Sequence, residues 1–116
     1  MSATKFIFFF LLFSIKIFSQ ADTQLVNNAP KNILLKLGKN ALLQGDPNSA
    51  ITFFEAFLKK DPKNAQAFYL AGQAYRQTRY YEKAQKYFLT SYRIDKKKSI
   101  DALYFHSLAL KSSGKY

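Results

Sequence analysis

A chain of 116 residues, 48% hydrophobic, has room for one small domain and excludes both a disordered chain and a collagen-like fibre. It has no cysteine, which excludes a disulfide framework, a thiolate metal site and the lipid anchor of a lipoprotein. The formal net charge of +11 favours anionic partners.

The N-terminus stands apart in composition, because Phe6, Phe8, Phe9, Phe10, Phe13 and Phe18 crowd a stretch that holds no tyrosine. Met1 to Lys5 is a short basic start, Phe6 to Ile15 an almost unbroken apolar run, and Ser19 a small residue suited to a signal peptidase. This pattern predicts a signal peptide over residues 1–19, cleaved before Gln20. The other reading is an uncleaved anchor, but the run is only about half of the roughly 20 residues needed to cross a bilayer. Lys16 would also cost about 2.5–3.5 kcal/mol in mid-membrane. Export to the periplasm or to the outer membrane is the expected localisation, and the charge falls to +9 once Lys5 and Lys16 leave with the leader. Residues 20–30 are expected to form a linker.

From Lys31 onward apolar residues recur at three- and four-residue spacing, as in Leu34, Leu37, Ala41 and in Ala84, Phe88, Ser91, which predicts amphipathic helices rather than strands. The expected helices are 31–44, 47–60, 65–78, 81–94 and 100–112. Gly45-Asp46-Pro47 supplies a turn glycine, a capping carboxylate and a proline at a first helical position. Asp61-Pro62-Lys63-Asn64 ends one helical pair and caps the next.

The segment from Lys31 matches the segment from Ala65 without a gap, a period of 34 residues. Under that shift Leu34 lies over Phe68, Gly38 over Gly72, Ala41 over Tyr75, Ala50 over Ala84 and Phe54 over Phe88. A third copy begins at Ile100 and uses Leu103, Ala109, Leu110, Gly114 and Tyr116 in the same roles. Glycine in mid-helix costs about 1 kcal/mol against alanine. Gly38 and Gly72 therefore point to a crossing closer than a methyl allows, with Ala50 and Ala84 as small partners and Phe54 and Phe88 filling the space.

In Leu34, Leu37, Gly38, Gly45, Ala50, Phe54 and Pro62, and again in Phe68, Gly72, Tyr75, Tyr81, Ala84 and Phe88, the chain resembles the tetratricopeptide repeat family. It departs from that pattern at Pro47, Arg79 and Lys96. The resemblance implies an all-α fold of helical hairpins stacked in a right-handed superhelix. Repeat 1 would span 31–64, repeat 2 65–99, and a truncated repeat 3, its first helix alone, 100–116. Because single hairpins cannot bury both faces, the native chain is expected to continue past Tyr116, or a partner to cover the last helix.

The resemblance also implies a concave groove for a protein or peptide. Its lining would be Asn32, Leu35, Lys36, Lys39 and Leu43 from the first copy and Gln66, Tyr69, Leu70, Gln73, Arg76 and Gln77 from the second. The third would add Tyr104, Phe105, Leu108 and Lys111. This mixture suits an acidic or polar partner; the alternative is an ordinary solvated helical face. A terminal-carboxylate clamp of the kind used for chaperone docking is not expected, since Leu35, Leu70, Asp101 and Phe105 occupy most of its positions.

No enzymatic activity, cofactor or metal is expected. His106 is the single histidine and the carboxylates are scattered, so no triad, metal site or acid–base pair assembles from sequence spacing. Nucleic acid is not an expected partner, because export separates the two. The expected function is a non-catalytic interaction scaffold of the bacterial envelope. Leader and repeats together look like the front of longer Gram-negative proteins that add a propeller and an OmpA-type peptidoglycan-binding domain. The alternatives are an electrostatic adaptor that rests on an anionic membrane or peptidoglycan surface through its lysines, Lys96-Lys97-Lys98 among them, or the recruiting domain of a longer protein with a downstream functional domain.

Overall fold

The computed structural model describes residues 23–96 and 100–114. The expected signal peptide, its cleavage point and Lys97-Lys98 lie outside the described residues. Among the described residues six helices follow in order: α1 (residues 23–28), α2 (Lys31–Leu43), α3 (Pro47–Lys60), α4 (Ala65–Gln77), α5 (Tyr81–Ile94) and α6 (Ile100–Ser112). Each of α2 to α6 packs on its neighbour in sequence, and α2, α4 and α6 also touch in succession, so the hairpins stack into an all-α solenoid. Within the segment expected as a linker, residues 23–28 are helical. Val26 and Ala29 give that short helix an apolar anchor on the core, and Pro30 separates it from α2.

The ends of the helices follow from local chemistry. Asp46 accepts a hydrogen bond from the Ser49 amide at 3.2 Å, with Pro47 beside it, and Asn64 accepts from the Ala67 amide at 2.9 Å; both satisfy amides that a helix start leaves open. At the close of α2 the amides of Gly45 and Asp46 reach back to Leu42 O and Ala41 O, and at the close of α4 Arg79 and Tyr80 repeat the pattern onto Arg76 O and Tyr75 O. This closure needs a left-handed residue. Gly45, Arg79 and Gly114, equivalent in the three copies, have φ of +75°, +66° and +76°.

Arg79 thus holds a conformation that costs a side-chain-bearing residue about 1–2 kcal/mol. Arg79→Gly is expected to raise stability by about 0.5–1 kcal/mol, the relief being partly offset by the freer unfolded chain. Urea denaturation measures this, and a loss of stability would mean that the Arg79 side chain makes contacts worth more than the strain.

The core explains the glycines. Phe54 and Phe88 are fully buried, and their rings lie across Gly38 and Gly72 respectively. A Cβ built on Gly72 would stand 2.7 Å from the Phe88 ring, and one on Gly38 would collide with the Phe54 ring in the same way. The close approach is therefore ring to backbone. Buried Ala50 and Ala84 leave room for the two rings, and buried Ala67, Ala71 and Ala74 line α4.

Leu37, expected on the buried stripe, is 39% exposed, whereas its equivalent Ala71 is fully buried. Ala71 belongs to the same buried cluster as Ala56, Phe57 and Leu58 of α3. Ile33 on α2 and Leu25 on the short α1 are exposed as well. At the other end Ala109 of α6 is buried against α5, while Leu103 and Tyr104 are 38% and 62% exposed.

Candidate functional site: the groove between α2 and α4

Helices α2 and α4 present one face side by side, and between them lies an open cavity of about 500 Å³. Lys39, Leu42 and Leu43 line it from α2, and Tyr69, Leu70, Gln73 and Gln77 from α4. Residues 35, 39 and 42 in α2 and 69, 73 and 76 in α4 each follow the i, i+4, i+7 rule, which keeps them on one stripe. Leu42 and Leu70 are partly buried and pack on the core, forming an apolar floor. Lys39 and Gln77 are exposed, and Leu43 is 86% exposed at the rim.

A polar network borders this cavity on the α6 side. Gln73 Nε2 donates to the Tyr69 hydroxyl at 3.0 Å, and Arg76 donates from Nε and Nη2 to Gln73 Oε1 at 3.3 and 3.1 Å. The Arg76 guanidinium also lies 4.9 Å from the centroid of the Phe105 ring, a cation–π contact that fixes it against α6. Tyr69 in turn packs against the Phe88 and Phe105 rings, each at 5.9 Å. The groove wall is therefore a direct extension of the core, and the planar groups in it are held in place before any partner arrives.

Of the residues expected to line the groove, Lys39, Leu43, Tyr69, Leu70, Gln73 and Gln77 converge on the cavity, and Arg76 and Phe105 form its border. Asn32, Lys36 and Gln66 are exposed but do not line it, and Leu35 is partly buried against the core. Tyr104 lies beside Phe105 at 5.4 Å, Leu108 is half-buried and Lys111 exposed, all on α6 and away from the cavity. Leu42 is the lining residue that sequence reasoning missed, although its place seven residues after Leu35 is a signal that could have found it.

Two further residues have roles that spacing does not suggest. Glu55 of α3 accepts hydrogen bonds from the Tyr75 hydroxyl of α4 at 2.9 Å and the Tyr87 hydroxyl of α5 at 2.6 Å, so that one carboxylate joins the two hairpins. His106 Nδ1 lies 2.8 Å from Gln85 O and ties α6 to α5. Among the described residues no three His, Cys, Asp or Glu side chains gather as metal ligands.

The repeated turn, the ring on a glycine in each hairpin and the stacking order now stand beside one comparison: the model of the tetratricopeptide repeat family matches residues 41–103. The chain belongs to the tetratricopeptide repeat family. Comparison with curated proteins gives no match. Tetratricopeptide repeats serve in general as modules for protein–protein interaction and are typically non-catalytic scaffolds.

Proposed function

We propose that this tetratricopeptide repeat protein is an exported, non-catalytic scaffold of the periplasm or outer membrane whose α2–α4 groove binds an acidic or polar peptide. The observation that carries the reading is the composition of the cavity. Lys39 supplies a cation, Gln73 and Gln77 supply amides, Tyr69 supplies an aromatic face, and Leu42 and Leu70 form a floor on which an extended segment can lose water. No carboxylate lines it, so an acidic segment meets attraction without a local opponent. The setting rests on the leader, with its basic start, the Phe6–Ile15 run and Ser19. The same reading groups the chain with longer envelope proteins that carry a propeller and an OmpA-type domain, on the strength of a leader followed by repeats.

The groove is tested with Lys39→Glu and Leu43→Asp, both at exposed positions where folding is spared. Against a library of labelled peptides, the wild-type chain should select acidic members. Each variant should weaken those by about 10-fold, with an unchanged circular dichroism spectrum. Selection of basic peptides, or equal affinity in all three proteins, would remove the groove. N-terminal mass measurement of the protein recovered from the periplasm tests export, and a retained Met1 there would contradict the cleaved leader.

A further inference from the structure

Beyond the groove, the solenoid carries a second surface along one end of its helices. The Ser91 hydroxyl, in the last turn of α5, donates to Ala65 O at the first residue of α4 at 2.7 Å. The ammonium of Lys31, the first residue of α2, lies 3.6 Å from Asp61 Oδ2, just beyond the end of α3. These two contacts bring the starts of α2 and α4 and the finishes of α3 and α5 to the same edge. On that edge stand Lys31, Lys59, Lys60, Lys63, Arg93 and Lys96, all exposed.

The acidic residues beside them are Asp61 and Asp95. Asp61 is already engaged by Lys31 and by the Asn64 amide at 3.3 Å. Cations in a last helical turn answer the helix dipole, which accounts for Lys59, Lys60 and Arg93. It does not account for Lys63 or Lys96, which lie outside the helices.

We infer that this edge is a docking surface for an anionic lipid bilayer. A bilayer presents many equivalent charges in one plane, and a row of long, exposed lysines at the loops of two successive hairpins fits it without specific geometry. A protein partner is a poorer match, because stable protein interfaces are depleted in lysine and centre on buried aromatic or arginine anchors. Single-stranded nucleic acid would call for aromatic faces among the cations. Tyr92, beside Arg93, is half-buried and packs on the core rather than standing free among the cations, whereas Tyr80 is 62% exposed at the opposite end of the hairpins.

The test uses the full chain with vesicles of phosphatidylcholine alone and of phosphatidylcholine mixed with phosphatidylglycerol. Whatever the apolar Phe6–Ile15 run contributes is common to both vesicle types. The edge adds a preference for the anionic vesicles, expected to be clear at ~0.1 M salt and nearly abolished at ~1 M. The triple variant Lys59→Gln, Lys60→Gln, Lys63→Gln should weaken that preference by on the order of 100-fold. The matched variant Lys36→Gln, Lys39→Gln, Lys111→Gln removes the same charge elsewhere and should change it by less than about 3-fold, a residual effect of net charge alone. Equal losses in the two variants, no preference for anionic vesicles, or tighter binding of a single-stranded oligonucleotide than of vesicles at the same salt would each overturn the inference. Peptide selection by the groove is unchanged in the edge variant, so failure here and failure of the groove reading are separable.

Discussion

Phe88→Ala is expected to destabilise the chain by about 3–5 kcal/mol, comparable to the whole stability of a small domain. Phe88 is fully buried, covers Gly72 and packs 5.9 Å from Tyr69 and 5.8 Å from Phe105, so its removal opens a cavity at the meeting point of α4, α5 and α6. Phe54→Ala should cost a similar amount through the same arrangement over Gly38. Urea denaturation followed by circular dichroism gives the magnitude.

The pairing of ring and glycine is tested by a double-mutant cycle. Gly72→Ala alone gains about 1 kcal/mol of helix propensity but overpacks a buried ring, at a cost of about 1–3 kcal/mol. Combined with Phe88→Leu, the added methyl meets a smaller side chain, and the pair should be less harmful than the sum by roughly 1 kcal/mol. Strict additivity would mean that the ring does not rest on Gly72. Because Tyr69 and Phe105 border the groove, Phe88→Ala should also weaken peptide binding.

What could be read from the sequence was what repeats locally. Gly38 and Gly72 stood out because a mid-helix glycine is costly unless something lies against it, and the 34-residue shift put a phenylalanine in reach of each. Arg79 was read as a departure from the family pattern, and its positive φ shows that turn geometry prevailed over the preference of the residue.

Leu37 was misplaced because a helical stripe says which face is apolar but not whether another helix covers it, and the described helix before α2 is only the short α1. The groove was half legible for a related reason. Family positions locate the face, and Lys39, Leu43, Tyr69, Leu70, Gln73 and Gln77 fall together on it. Leu42 falls on the same stripe as Leu35, but which positions of that face line the cavity, leaving Asn32, Lys36 and Gln66 out, depends on how two hairpins lean on each other. Glu55 was illegible, since its partners lie 20 and 32 residues away on two other helices and no periodicity connects them.

Glu55→Ala is the second substitution expected to act strongly, lowering stability by about 1–3 kcal/mol by removing the acceptor that the Tyr75 and Tyr87 hydroxyls share. The magnitude rests on position. In a stacked array each hairpin is held by its neighbour, and this carboxylate bonds across α3, α4 and α5 at that junction. Burial, and then the Glu55 carboxylate, push the Tyr75 phenol from 10.0 up to about 12, and the same causes raise Tyr87. The unfolded chain therefore loses these protons first as pH rises. Their contribution is complete below about pH 10, declines between pH 10 and 12, and is gone above the folded-state values.

Glu55→Gln keeps an acceptor for the hydroxyls but removes the charge that opposes the phenolate. The two tyrosines should then ionise at lower pH than in the wild type, read as ultraviolet tyrosinate absorbance, while much of the stability lost in Glu55→Ala is retained. Identical titration curves for wild type and Glu55→Gln would show that the carboxylate does not sit between the two rings, and that the hairpins are joined by apolar packing alone.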